Sequence, residues 1–149
     1  MNTTEGSPLG TEKKTAEMNY TKILLVLLWI FYSVNFMYAD QLSSLVPGVL
    51  EETMTGYVAD GTVQITPGFL LGTAIVWEIP FLMIILSWVL KYKANRWANI
   101  IAGAIMAVIQ IGSLFMGTPA LYYIFYSIVN IACMSLIVWN AWKWSNPEA

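Results

Sequence analysis

The stretch from Thr66 to Arg96 reads TPGFLLGTAIVWEIPFLMIILSWVLKYKANR and decides the fold. It opens on a threonine followed by a proline, a pair that typically caps a helix and fills its first position. From there to Leu90 the stretch contains one charged residue, Glu78. About 20 mainly apolar residues are needed for a helix to cross a bilayer. The stretch therefore predicts a transmembrane helix that ends in a basic turn.

Three more runs of this kind occur in the 149 residues, and none of them contains a charged residue. They are Ile23–Ala39, Ala98–Met116 and Leu121–Trp142. The whole chain is 58% hydrophobic and 11% charged, whereas an average soluble domain is about 25% charged. The sequence therefore predicts an all-α integral membrane protein, a four-helix bundle in one domain. The predicted spans are about 21–39, 67–90, 97–116 and 119–142.

All seven Lys and Arg residues fall on one side of such a bundle. Three precede the first span, three lie between the second and third, and one follows the fourth. The connections 40–66 and 117–120 contain none. Because positive residues in short loops stay on the cytoplasmic side, we expect both termini to be cytoplasmic.

The connection from Asp40 to Thr66 has local order of its own. Pro47-Gly48 ends a first helical piece, and the segment from Val49 to Thr55 predicts a short helix at the membrane interface. Alternating β-formers around Asp60-Gly61 predict a β-hairpin. Elsewhere we expect a mobile tail at residues 1–17 and tight turns at 91–96 and 117–120.

Absent residue types exclude much chemistry. The chain has no His and a single Cys, Cys133, so an intrachain disulfide is excluded and the usual ligands of haem, zinc and copper are missing. No basic patch beyond the span flanks supports nucleic-acid binding, and no nucleophile–base pair is visible. We therefore expect no metal, no cofactor, no nucleic-acid partner and no enzymatic activity.

Glu78 is the strongest candidate for a functional residue. An acid inside a span costs about 2.5 kcal/mol or more on insertion scales, and such groups usually face the bundle interior or a wet cavity. Pro80 lacks a backbone N–H, which predicts a kink and a free carbonyl at Val76 beside the acid. The alternative is that Glu78 is hydrogen-bonded to a neighbouring helix and only holds the bundle together.

Each predicted span carries one strong hydrogen-bonding side chain in its outer half. These side chains are Asn35, Glu78, Gln110 and Asn130. Helical spacing adds Tyr123 and Tyr126 to the face of Asn130. Asp40 ends the first span, either as a helix cap or at the pocket entrance. The set predicts an outward-opening polar pocket beneath the 40–66 connection, and a closed interhelical network is the alternative.

The third predicted span is rich in small residues. Ala98 and Ala102, and likewise Gly103 and Ala107, are four residues apart, a spacing that lets helices approach closely. Two interpretations stay open. These residues pack inside the bundle, or they form the contact face of a homodimer.

Several short strings together carry a family resemblance. They are Ala39-Asp40, PGVLEE at 47–52, ITPGFLL at 65–71, Glu78-Ile79-Pro80 and NRWANII at 95–101. They resemble a family of small, uncharacterised four-span membrane proteins of bacteria and archaea, loosely similar in architecture to DoxX-like proteins. The resemblance covers about Leu24 to Trp144. It implies a four-helix bundle in a prokaryotic plasma membrane, and no functional residue is carried over from it.

Two functions from different classes remain. The first is binding or transport of a small or lipid-like molecule, with Glu78 as a protonatable anchor oriented by Asn35, Gln110, Asn130 and Tyr126. The second is a non-catalytic accessory or structural subunit of a membrane complex. Small multidrug transporters are similar in length and also hold an intramembrane Glu, but here the acid lies in the second span instead of the first.

Overall fold

The computed structural model describes residues 8–116 and 118–144 of the chain. Four long helices dominate it, and a short helix and a hairpin connect the first two long ones. The elements are α1 (Pro8–Ser43), α2 (Val49–Met54), β1 (Tyr57–Val58), β2 (Val63–Gln64), α3 (Pro67–Val89), α4 (Tyr92–Ser113) and α5 (Leu121–Lys143). Each long helix contains a segment that is long and apolar enough to cross a membrane. The predicted all-α bundle is confirmed, and the chain is a multi-pass integral membrane protein.

The four long helices form a ring in the order α1, α3, α4, α5. Helix α1 packs against α3 and α5, and α4 packs most extensively against α5 and least against α3. Helices α1 and α4 therefore lie diagonally across the bundle. Its centre is filled by fully buried side chains from three of the helices: Leu25, Trp29, Met106, Met134 and Ile137.

The bundle has two chemically different ends. We call the end with residues 44–66, 114–116 and 118–120 the loop end, and the end with the α3–α4 turn the turn end. At the turn end, Lys22 Nζ donates to the carbonyl of Trp88 at 3.2 Å. Arg96 donates to the carbonyls of Ala141 (3.2 Å) and Trp142 (3.0 Å). Cations thus meet the carbonyl-rich C-terminal turns of α3 and α5, where the helix dipole favours positive charge.

Two predicted boundaries are wrong at this end. Helix α1 begins at Pro8, so residues 8–17 of the expected mobile tail are helical, while residues 1–7 lie outside the described part. Helix α4 begins at Tyr92, so most of the predicted 91–96 turn is helical. The physical reason is a side-chain bond, because Asn95 Nδ2 donates to the Ser87 carbonyl at 2.6 Å and ties the start of α4 to the end of α3.

The start of the last span is also corrected. The predicted span begins at 119, but α5 begins at Leu121 after the extended residue Ala120. The backbone N–H of Thr118 instead donates to Asp60 Oδ2 at 3.0 Å. A contact from the distant hairpin therefore holds this segment outside the helix.

Most of the local signals in the 40–66 connection are confirmed, but α1 ends at Ser43, before Pro47 is reached. Gly48 adopts φ +89°, a left-handed conformation, and directly precedes the first residue of α2. Strands β1 and β2 pair antiparallel around Asp60-Gly61, with Val58 opposite Val63. Thr66 caps α3 as predicted, since its Oγ1 accepts from the Phe69 N–H at 3.1 Å.

Candidate functional site

Glu78 does not face the bundle interior, and that prediction is wrong. It is the central residue of the 23-residue α3, and its side chain is exposed on the outer surface of the bundle. The buried residues of α3 are Pro80, Met83 and Ser87. At about 100° per residue they lie on the opposite side of the helix. Glu78 therefore points to where lipid or another protein lies in a membrane.

Pro80 and Glu78 consequently do not share a face. The proline is buried against the other helices while the acid is exposed, and α3 runs through Pro80 without a break. The expected site, in which a freed carbonyl lies beside the carboxyl group, is not formed. Helix α3 is apolar on almost every side, so hydropathy alone does not indicate which side faces the bundle. The inward position of Glu78 was therefore predicted only from the cost of exposing an acid to lipid.

The structure does bring several other predicted residues together at the loop end. Gln110 and Asn130 are both buried, and Asn130 Nδ2 lies 3.4 Å from Gln110 Oε1. Gln110 Nε2 donates to Ser127 Oγ at 3.0 Å and lies 3.4 Å from Ser113 Oγ. Tyr123 O–H donates to the same Ser113 hydroxyl at 2.7 Å. We call these five residues of α4 and α5 the loop-end cluster.

Three predicted site residues lie outside the loop-end cluster. Asn35 is half-buried and donates its amide to the Phe31 carbonyl of its own helix at 2.9 Å. Tyr126 is half-buried and packs edge-on against Phe125, with ring centroids 5.6 Å apart. Asp40 lies in the last turns of α1 and is half-buried. The convergence of one polar group from every span is therefore only partly formed.

Two buried acceptor oxygens at this end are unsatisfied. Asp40 Oδ2 and Asn130 Oδ1 accept no hydrogen bond from any residue in the described part of the chain. A buried acceptor without a partner costs about 1–3 kcal/mol. Such atoms suit a small hydrogen-bond donor such as water, a hydroxyl or an amine.

A second polar network, missed from the sequence, lies nearer the turn end. Trp29 Nε1 donates to Asn99 Oδ1 at 2.7 Å, and Ser87 Oγ donates to the same oxygen at 3.1 Å. Asn99 Nδ2 in turn donates to Asn95 Oδ1 at 2.7 Å. We call these four fully buried residues of α1, α3 and α4 the turn-end network. The signal was present, because Asn95 and Asn99 are four residues apart, but Asn95 was assigned to a turn.

The small residues of α4 pack inside the bundle. A Cβ at Gly103 would lie 2.9 Å from Val138 Cγ2 and 3.5 Å from Ile137 Cγ2, both on α5. Ala98, Ala102 and Ala107 are half-buried against the core. Of the two open interpretations, intramolecular packing is the one that the structure shows for this stripe.

An open groove of about 460 Å³ lies on the outer surface between α4 and α5. It is lined by Ala104, Ala107, Met134, Ser135, Val138, Trp139 and Trp142. None of these is a predicted site residue. Within the described residues there is also no cluster of three His, Cys, Asp or Glu side chains that could hold a metal ion.

Comparisons with known proteins show a family and add no activity. Residues 14–149 match the model of a family described as a family of unknown function (DUF6326). No curated protein and no solved structure matches the chain. The site must therefore be interpreted from its own geometry.

Proposed function

The chain belongs to this family of unknown function, and we propose that it is a non-catalytic structural or accessory subunit that acts by associating with protein inside the bilayer. A single observation carries the proposal. The central residue of α3 is a carboxylic acid, and it is exposed on the outer surface of the bundle among apolar side chains.

The position of Glu78 makes exposure to lipid unfavourable. Eleven residues separate it from either end of α3, which is about 16 Å at 1.5 Å per residue. A glutamate side chain is too short to reach water over that distance. Placing an acid at the centre of a span costs about 2.5–3.5 kcal/mol on insertion scales. A protein partner that hydrogen-bonds the carboxyl group removes much of this cost.

The interior of the bundle supports the same proposal. The turn-end network satisfies its own polar groups with distances of 2.6–3.1 Å. Glu78, which was expected to anchor a ligand in a pocket beneath the 40–66 connection, is on the outer face of α3. A transport role built on Glu78 in an internal pocket therefore has no geometric support.

The test is site-specific photo-crosslinking in native membranes. A photoreactive amino acid replaces Glu78 in one variant and Val108, a residue 69% exposed on α4, in the control. We expect protein adducts, identified by mass spectrometry, at 78 and lipid adducts at 108. Lipid adducts alone at both positions would refute the proposal.

A second candidate function is favoured by the two unsatisfied oxygens, Asp40 Oδ2 and Asn130 Oδ1. It is the binding of a small hydrogen-bond donor that enters from the loop end. A thiol at 130, in a chain whose Cys133 is replaced by Ala, should then react with a charged methanethiosulfonate reagent. A thiol at Ile128, exposed on the outer surface, should not. Failure of Asn130→Cys to react would exclude a hydrated route.

We further propose that the turn end and both termini are cytoplasmic, in the plasma membrane of a prokaryote, and that the architecture is DoxX-like. The support for the orientation is the basic turn end, where Lys22 and Arg96 cap neighbouring helices. At the loop end, Glu52 and Asp60 accept hydrogen bonds from the backbone of the hairpin and of Thr118. Positive charge favours the cytoplasmic side.

A further inference from the structure

The outer surface of α3 carries a regular stripe. Its residues recur at alternating intervals of four and three: Leu71, Ile75, Glu78, Leu82, Ile85 and Val89. The five apolar members are 47–67% exposed, and Glu78 is exposed as well. This spacing is that of the a and d positions through which helices pair in a left-handed coiled coil. We call these six residues the α3 seam.

The α3 seam is not used by the bundle itself. Helix α3 contacts the core of the bundle through its opposite side. On that side Thr73, Pro80 and Ser87 recur every seven residues, and Pro80 and Ser87 are buried. The two sides of α3 therefore differ in what they contact. One side is occupied by α1 and α4, and the other is free in the monomer.

We infer that a second copy of this chain occupies the α3 seam, as a parallel pair of α3 helices with the two Glu78 carboxyl groups facing each other. The inference rests on the proposed function and names its partner. Copies inserted with one topology place their α3 helices parallel and every residue at the same depth as its symmetry mate. A two-fold contact through this face therefore pairs each residue of the seam with its own symmetry mate at the same depth in the membrane.

Polar complementarity favours a second copy. A carboxyl group accepts hydrogen bonds and, when it carries a proton, also donates one, so two facing carboxyl groups can share a hydrogen bond. An apolar partner helix would leave the acid without a bond. A single polar residue in an otherwise apolar seam also fixes the register of a helix pair.

The residues beside the seam fit the same arrangement. Gly72 and Ala74 flank its loop-end half and are exposed, and nothing within 4 Å blocks an added Cβ at Gly72. Small residues let two helices approach closely in a membrane. Phe81 and Trp88, which are 40% and 59% exposed, flank the other half and can cover the contact from lipid.

The experiment is disulfide cross-linking of purified protein in phosphatidylcholine vesicles, in a Cys133→Ala chain whose helicity is checked by circular dichroism. Single cysteines are placed at four seam positions, Leu71, Ile75, Leu82 and Ile85. Exposed positions on other helices, Val108 and Ile128, serve as controls. We expect at least a tenfold faster dimer cross-link at the seam positions. Equal rates at seam and control positions would overturn the inference.

Variants of Glu78 test the carboxyl pair separately. Glu78→Gln keeps a group that both donates and accepts, and it should retain the dimer when vesicle dilution is followed by single-molecule bleaching. Glu78→Leu removes the pair, and its dimer should dissociate at a protein-to-lipid ratio at least tenfold higher than that of the parent. Unchanged dissociation in Glu78→Leu would overturn the role of the pair.

The results separate this inference from the proposed function. A monomer in vesicles, together with an identified foreign protein adduct at position 78 in native membranes, refutes the second copy and leaves the subunit role standing. A monomer in vesicles with only lipid adducts at 78 refutes both.

Discussion

The indole N–H of Trp29 donates to the side-chain oxygen of Asn99 at 2.7 Å and so joins α1 to α4 across the diagonal of the bundle. Both residues are fully buried. In hydrocarbon an unsatisfied polar group has no water to bond, so helices that are not neighbours are fixed by such a contact. The turn-end network is thus a buried polar link between helices that do not pack side by side.

Replacing Asn99 with Leu should lower the free energy of unfolding by about 1–3 kcal/mol, because Trp29, Ser87 and Asn95 each lose a buried partner. The measurement is unfolding of the purified protein in mixed detergent micelles. Asn140→Leu is the matched control, since within the described residues Asn140 bonds only the Leu136 carbonyl of its own helix at 2.7 Å. Equal stability of the two variants would contradict the assignment.

Asn130→Leu should behave differently. Its amide makes one long bond of 3.4 Å and its oxygen accepts none from the described residues. Removing an unsatisfied buried group is close to neutral or stabilising. We expect a change within about 0.5 kcal/mol in the same unfolding assay. A loss as large as that of Asn99→Leu would show that a bound donor holds the Asn130 oxygen, which favours the second candidate function.

Gly103→Ala should weaken the contact between α4 and α5, because the new Cβ would lie 2.9 Å from the stiff Val138 side chain. Overpacking costs about 1–3 kcal/mol, against which the better helix propensity of Ala recovers up to about 1 kcal/mol. Gly112→Ala, with nothing within 4 Å, is the control and should be neutral or stabilising. Adding Val138→Ala should restore stability to Gly103→Ala; no recovery would place the conflict elsewhere.

Asp60→Ala should loosen the α4–α5 connection, because it removes the acceptor of the Thr118 N–H. Hydrogen exchange followed by mass spectrometry should show faster exchange in peptides that cover Thr118. Asp60→Asn keeps an acceptor oxygen and tolerates the positive φ of 56° at this position, so its exchange should match that of the parent. An unchanged rate in the Ala variant would mean that the hairpin does not hold the segment.

The orientation can be measured by labelling single cysteines in intact cells with an impermeant maleimide, in the Cys133→Ala chain. Glu51→Cys lies in the exposed part of α2 at the loop end, and Lys93→Cys is exposed at the turn end. We expect labelling at 51 in intact cells and at 93 only after lysis, because the basic end stays in the cytoplasm. The reverse pattern would overturn the proposed topology.

Most local features were readable from the sequence because each depends on neighbouring residues. Thr66-Pro67 begins α3, Gly48 precedes α2, and Asp60-Gly61 turns the hairpin. The start of α5 was misplaced because the contact that moves it joins Thr118 to the hairpin of residues 57–64. A contact of such long range leaves no mark on the local pattern.

The sequence by itself determined the number of membrane-crossing helices, since their apolar length and the placement of charge are one-dimensional properties. Only the tertiary structure decided which side of each helix faces inward. In a soluble protein hydropathy sorts the two sides, but lipid is as apolar as a protein core, so packing and hydrogen bonding make the choice. That is why Asn99 is hydrogen-bonded to both Trp29 and Asn95 inside the bundle, and why Glu78 lies on the outer surface of α3.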